Sequence, residues 1–183
     1  MHLAERGYSL PELLAVVIIL GVAASVAIPD ISSTDSNRLD IAADEVAQAI
    51  RFARSESLRT GEIHGVQISQ NTQRVVAYKA DLGTSPVSMA SILYHPVSRQ
   101  ILDYEVDTGS MTQGVSITNS QDPFLYATGR RKNLLFDVTG VPIWIVNSTG
   151  STYVLQDGMV QLSYGSVDRN VTIAPITGRV TVQ

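Results

Sequence analysis

The sequence predicts an α+β fold in which one long N-terminal helix packs on an antiparallel β domain. Three observations predict it. No charged residue occurs from Leu13 to Ile28 in a strongly apolar run. A three- and four-residue apolar period follows at Leu39, Ala43, Val46, Ile50 and Ala53, one face of a helix. From Glu62 onward the pattern changes to short segments rich in β-branched and aromatic residues. With 183 residues, the chain can hold one domain with a core and an appendage. Hydrophobic residues make up 44% and charged residues 16%, which excludes a disordered chain. The net charge of −4 gives no overall attraction to nucleic acid. The absence of cysteine removes disulfides, thiolate metal sites and cysteine nucleophiles together.

The first element is the stretch from Tyr8 to Ile28, long enough as a helix to cross a bilayer of about 30 Å. Ahead of it, "MHLAERG" is short and polar, with Arg6 biasing that end toward the cytoplasm. A secretory signal peptide with "SVA" as its cleavage site and a plain uncleaved anchor are two readings. Neither accounts for Glu12, since a carboxylate within the bilayer costs roughly 2.5–3.5 kcal/mol. Cleavage after Gly7 accounts for both Glu12 and Pro11. Tyr8 then becomes the N-terminus, and Pro11 falls in the first turn, where amides have no intrahelical acceptor to lose. Glu12 lies close to a free α-amino group, and the amino terminus of a neighbouring subunit can neutralise it. A buried acid that needs a partner's amine sets register between subunits.

The second element is the amphipathic stretch "RLDIAADEVAQAIRFARSESLRTG", set off by Pro29 and "DISSTDSN". Asp35 or Ser36 is placed to cap it and Gly61 to end it. Asp40, Asp44, Arg51 and Arg54 fall off the apolar stripe; they suit a solvated face or acidic neighbours, with an acidic ligand for the arginines as the alternative. The β segments follow as "IHGVQIS", "QRVVAYKA", "ILDYEV", "GVSIT", "NLLFDV", "PIWIV", "TYVLQ", "MVQLSY", "NVTIAP" and "GRVTVQ". Thr149-Gly150 and Asp157-Gly158 read as turns between them. Two stretches, Asp81 to Ser91 and Asn119 to Lys132, read as irregular insertions, where partner contacts tend to lie.

"GYSLPELLAVVIILGVAASVAIP" resembles the class III signal of type IV prepilins and type II secretion pseudopilins. "AADEVAQAIRFARSESLRTGE", "LLFDVTGVP" and "VTIAPITGRVTV" resemble the helix, the phenylalanine–aspartate–x–x–glycine turn and the final hairpin of GspH/FimT-type minor pseudopilins and pilins. The sequence departs from the prepilin signal in Tyr8, where phenylalanine is usual, and in Pro11. The resemblance implies a prepilin peptidase that cuts between Gly7 and Tyr8 and N-methylates Tyr8, with Glu12 acting in assembly. It also implies two small β-sheets and four segments: a leader over 1–7, a transmembrane and filament-core helix over 8–29, a linker and amphipathic helix over 30–61, and a periplasmic β domain over 62–183. Its partners would be other pilins of the filament and an assembly platform in the bacterial inner membrane. The implied function is that of a minor pseudopilin in tip initiation or assembly of a type II secretion pseudopilus, the alternative being a minor pilin of a type IV pilus.

Signals for other chemistry are absent. The three histidines, His2, His64 and His95, are scattered, and no nucleophile elbow, histidine metal pair or phosphate loop occurs. Asp103, Glu105 and Asp107 alternate along one strand and suit a solvated face better than a metal. The expectation is a non-enzyme without cofactor or metal. Some FimT-type pilins bind DNA through a C-terminal Gly-Arg-x-Lys motif, which makes DNA the alternative partner. The tail here reads Gly178-Arg179-Val180-Thr181, without the lysine, whereas Gly129-Arg130-Arg131-Lys132 matches literally in the second insertion. Arg130, Arg131, Lys132 and Arg179 are therefore the candidate contacts to DNA or a partner.

Overall fold

The computed structural model describes residues 10–26, 32–84, 87–146 and 150–183. The chain divides into two units, residues 1–33 and 34–183. In the first, helix α1 (Leu10–Val26) spans 17 residues, with Glu12 in its first turn and no other charge. Leu10, Leu13, Val17, Ile18 and Leu20 are all exposed, so over residues 10–21 α1 presents apolar side chains on every side. Among the described residues no helix is long and apolar enough to cross a membrane. The expected span from Tyr8 to Ile28 is described only between Leu10 and Val26, and Gly7, Tyr8 and Pro29 lie outside the described residues.

Helix α2 (Ser32–Thr60) carries the amphipathic stripe. Leu39, Ala43, Val46, Ile50 and Ala53 are all fully buried, as their spacing predicts. Asp35 and Ser36 do not cap the helix, because it begins ahead of both. Ser36 serves a tertiary contact instead, its Oγ accepting from Arg169 Nη2 at 3.4 Å. At the other end the Gly61 amide donates to the Ser57 carbonyl at 3.0 Å, closing the last turn where the sequence expects it.

The first antiparallel sheet is built around β1 (His64–Ser69) and β2 (Arg74–Asp81), paired from His64↔Lys79 to Ser69↔Arg74. Beyond β2 lies β3 (Ser88–Ile92), with β4 (Asp103–Glu105) also pairing β2. The second sheet takes in β5 (Ser116–Ile117), β6 (Phe124–Tyr126) and β7 (Gly129–Arg131). The chain then returns to the first sheet through β8 (Asn133–Phe136), β9 (Pro142–Val146) and β10 (Ser151–Val154), and closes the second with β11 (Asp157–Tyr164), β12 (Val167–Ile173) and β13 (Val180–Val182). The sheet orders are β10-β9-β8-β1-β2-β3, with β4 on β2, and β13-β12-β11-β6-β7, with β5 on β11. One core joins the buried stripe of α2 to Val66, Tyr78, Phe136, Leu162 and Val171 from both sheets.

Three sequence expectations are corrected here. The stretch from Asp81 to Ser91 contains β3, and that from Asn119 to Lys132 contains the β6–β7 hairpin. Ser88, Met89 and Ala90 have weak strand propensity, and pairing with β2 supplies what local preference does not. Asp157 and Gly158 form no turn. They begin β11, opposite Leu125 and Phe124, and so tie β6 to the second sheet. Of the other expected turn, Thr149 lies outside the described residues.

Candidate functional site

Among the described residues, the chemistry of the chain is concentrated where α2 meets the sheets. Ser57 is buried; its Oγ donates to the Phe136 carbonyl at 3.1 Å and accepts from the His64 amide at 3.0 Å, joining α2 to β8 and β1. His64 is buried in β1 at this junction. Arg51 Nη2 donates to the Val180 carbonyl at 3.1 Å, and Arg54 Nε to the Gly140 carbonyl at 3.0 Å. Arg51 therefore ties the helix to the start of β13 and Arg54 ties it to the turn at Gly140, although Arg51 stands exposed. Arg169 Nε pairs with Asp40 Oδ1 at 2.6 Å and holds β12 to the N-terminal half of α2.

The basic residues of the β6–β7 hairpin are mostly engaged. Arg130 donates to the Asp122 carbonyl at 3.3 Å and lies 3.8 Å from the Asp157 carboxylate. Arg131 donates to the carbonyls of Arg130 and Thr128, and its guanidinium lies 5.7 Å from the centroid of the Trp144 ring. Lys132 is exposed, with its carbonyl accepting from Ile68. Arg179 is exposed in the turn before β13. Since β7 and β13 are opposite ends of the sheet path, Arg179 is not brought to the other three.

Of the acidic alternation, Asp103 forms a bidentate ion pair with Arg74. No group of residues suited to a metal ion occurs among the described residues. His95 has a local role, its Nδ1 accepting the amides of Val97 and Ser98 in a turn.

A cavity of about 610 Å³, which sequence reasoning missed, lies between α2 and the segment from His95 to Thr112. Ala49, Phe52, Leu102 and Tyr104 supply apolar surface, and Glu45 and Glu105 bring carboxylates. Burial raises the pKa of Glu45, and burial, followed by the nearby Glu45 charge, raises that of Tyr104. The Tyr104 hydroxyl is buried and has no hydrogen-bond partner among the described residues. Only the amphipathic stripe hints at this feature: Glu45, Gln48, Ala49 and Phe52 form a second stripe beside the buried one.

No protein-family model matches the chain. No curated protein matches it either. Two solved structures share its fold. The type IV minor pilin FimU of Pseudomonas aeruginosa superposes with a TM-score of 0.51 at 13% identity, over 82% of this chain and 91% of that one. The minor pseudopilin EpsH of the type 2 secretion system of Vibrio cholerae superposes with a TM-score of 0.50 at 12% identity, over 80% of this chain and 96% of that one. This chain thus shares with those two solved subunits a fold in which an amphipathic helix and two antiparallel sheets enclose one core.

Proposed function

We propose that the chain is a minor pseudopilin, a structural subunit that helps initiate or assemble a type II secretion pseudopilus. It is made as a prepilin, cut by a prepilin peptidase after Gly7 and N-methylated on Tyr8. It is held in the bacterial inner membrane by residues 8–29 and then drawn by an assembly platform into the filament. Residues 30–61 lead to the β domain, residues 62–183, which faces the periplasm.

Glu12 carries this reading: it is the one charge of α1 and lies in its first turn. An acid there is costly in lipid and useful only where a cation meets it, and the amino terminus of a neighbouring subunit supplies one. The shared fold with EpsH supports the pseudopilin assignment.

A minor pilin of a type IV pilus is the second reading, favoured by the likeness to FimU. DNA binding belongs to that reading, with Lys132 and Arg179 exposed to offer phosphate contacts. The deciding experiment is the supernatant protein profile of an in-frame deletion strain. Exoproteins lost from the medium and retained in the periplasm support the pseudopilus; unaltered secretion with altered piliation or transformation supports the pilus.

A further inference from the structure

The cavity beside α2 is built from one stripe of the helix and three later stretches of chain. Glu45, Gln48, Ala49 and Phe52 fall at three- and four-residue steps and so share one side of α2. Facing them are Tyr104 and Glu105 of β4, the turn from His95 to Gln100 and the loop from Thr108 to Thr112. The turn is closed by the His95 amide, which donates to the Gln100 carbonyl at 2.7 Å, and by the Tyr94–Ile101 bridge. At about 610 Å³ the space falls within the range of small-molecule sites.

Its charged groups are unbalanced. Glu45 and Glu105 bring carboxylates, and the basic residues of the lining, Arg51 and His95, are engaged elsewhere. Arg51 donates to the Val180 carbonyl, and His95 Nδ1 accepts the amides of Val97 and Ser98. Burial raises the Glu45 pKa with no nearby cation to offset it. The Tyr104 hydroxyl is buried without a hydrogen-bond partner among the described residues, although the Glu45 charge acts on it. A carboxylate and a phenol that influence each other without bonding leave a place for a group that serves both.

The chemistry of that group follows. An anion would meet two carboxylates and no free cation. A neutral hydroxyl has a single hydrogen to offer. A primary ammonium has three N–H donors, enough for Glu45, the Tyr104 oxygen and one acceptor more. Phe52, Pro96, Ile101 and Leu102 supply apolar wall. Ile101 is 51% exposed, so an apolar body bound against it would remove it from water.

We propose that the α2 cavity binds a small primary amine with an apolar body of one or two rings, its ammonium held between Glu45 and Tyr104. The site lies wholly within residues 34–183 and goes beyond the assembly reading, on which it does not depend.

Tryptamine is the probe, with tryptophol and indole-3-propionate replacing its amine by a hydroxyl and a carboxylate. The full-length chain in neutral-detergent micelles is titrated by calorimetry, with empty micelles as the reference. Tryptamine should bind saturably, one per chain, and at least about tenfold more tightly than either analogue. Glu45→Gln should weaken tryptamine roughly tenfold and bring it level with tryptophol. Tyr104→Phe removes a hydroxyl with no protein partner to strand, so the fold is kept while affinity drops about fivefold. Circular dichroism checks that both variants are folded; if one is not, the other decides. Tryptamine affinity unchanged in Tyr104→Phe would mean that water serves the hydroxyl, and overturns the site. Equal binding of the three indoles, or none beyond the empty micelles, overturns it as well.

Discussion

Arg54 on α2 donates its Nε–H to the carbonyl of Gly140, 3.0 Å away, and so fastens the helix to the β8–β9 turn. The turn is built to offer that carbonyl. Asp137 Oδ1 accepts the amides of Thr139 and Val141 at 2.8 and 2.9 Å, and Gly140 takes a left-handed φ of 78°. A Cβ on Gly140 would lie 3.1 Å from Arg54 Nε and 3.3 Å from the Leu58 side chain. Gly140→Ala should therefore cost about 1–2 kcal/mol, from the left-handed backbone with crowding added. Urea denaturation of the purified chain checks this; a midpoint equal to that of the parent would refute it.

A second junction depends on a single hydroxyl. Ser57 Oγ satisfies the His64 amide and the Phe136 carbonyl in the buried seam of α2, β1 and β8. Ser57→Ala leaves both groups without that partner, at a cost of about 1–3 kcal/mol. Replacement by threonine keeps the hydroxyl but adds a methyl group to a packed site, so partial recovery is expected. The ordering parent, threonine, alanine in chemical denaturation is the outcome to look for.

These two contacts also mark what was legible in the sequence. The stripe from Leu39 to Ala53 revealed the helix and its buried face, because a helical period over four turns has no competing explanation. The phenylalanine–aspartate–x–x–glycine turn was visible as a resemblance, and its reason, an Asp137 side chain ordering a turn around Gly140, is local. The strands β3, β6 and β7 were hidden because they are short and owe their order to pairing, β3 with β2, β7 with β6 and β6 with the distant β11, more than to local preference. Asp157-Gly158 carries a turn signal, yet pairing with Phe124 and Leu125 overrides it. Arg51 is exposed off the buried stripe as its spacing predicts, yet the bonds that it and Arg54 make to the sheets leave no sequence signal. Their acceptors are carbonyl oxygens more than eighty residues away, and a carbonyl leaves no trace in composition.

The processing reading makes a paired prediction at the N-terminus. Gly7→Val should leave the precursor uncut, seen as a slower band on a gel and an unmodified leader by mass spectrometry. Glu12→Ala should be cut normally but recovered in sheared filaments at roughly a tenth of the parent level or less, given the 1.4 kcal/mol per decade that one lost charge contact must exceed. Normal cutting of the first variant removes the cleavage site, and normal incorporation of the second removes the register role.

Glu45 sets a pH dependence whose sign follows from its environment. Burial raises its folded-state pKa above the ordinary value of 4.5. Between the unfolded and folded values the native state binds more protons, so this group's contribution to stability falls as pH rises through that window. Below the window the burden is absent. Glu45→Gln should thus raise the melting temperature at pH 7 by on the order of 1 °C, the side chain being partly solvated, and leave it unchanged at pH 3. Scanning calorimetry at both values checks the difference, and an equal shift at both would point to packing instead of charge.

The last prediction concerns the basic hairpin. Arg131 lies over Trp144, the one tryptophan of the chain, with 5.7 Å between the guanidinium carbon and the ring centroid. Its two guanidinium nitrogens are further held by the carbonyls of Arg130 and Thr128 at 2.9 and 3.2 Å. The side chain thus joins β7 of one sheet to β9 of the other. Arg131→Gln should cost about 0.5–1 kcal/mol and alter the tryptophan emission of the native state, because the cation is removed from the ring face. A DNA-contacting role makes a different demand: Arg131→Gln would weaken DNA retention while leaving the emission alone. Fluorescence and DNA retention measured on the same purified variant separate the two, since a side chain spent on Trp144 is not available to a phosphate.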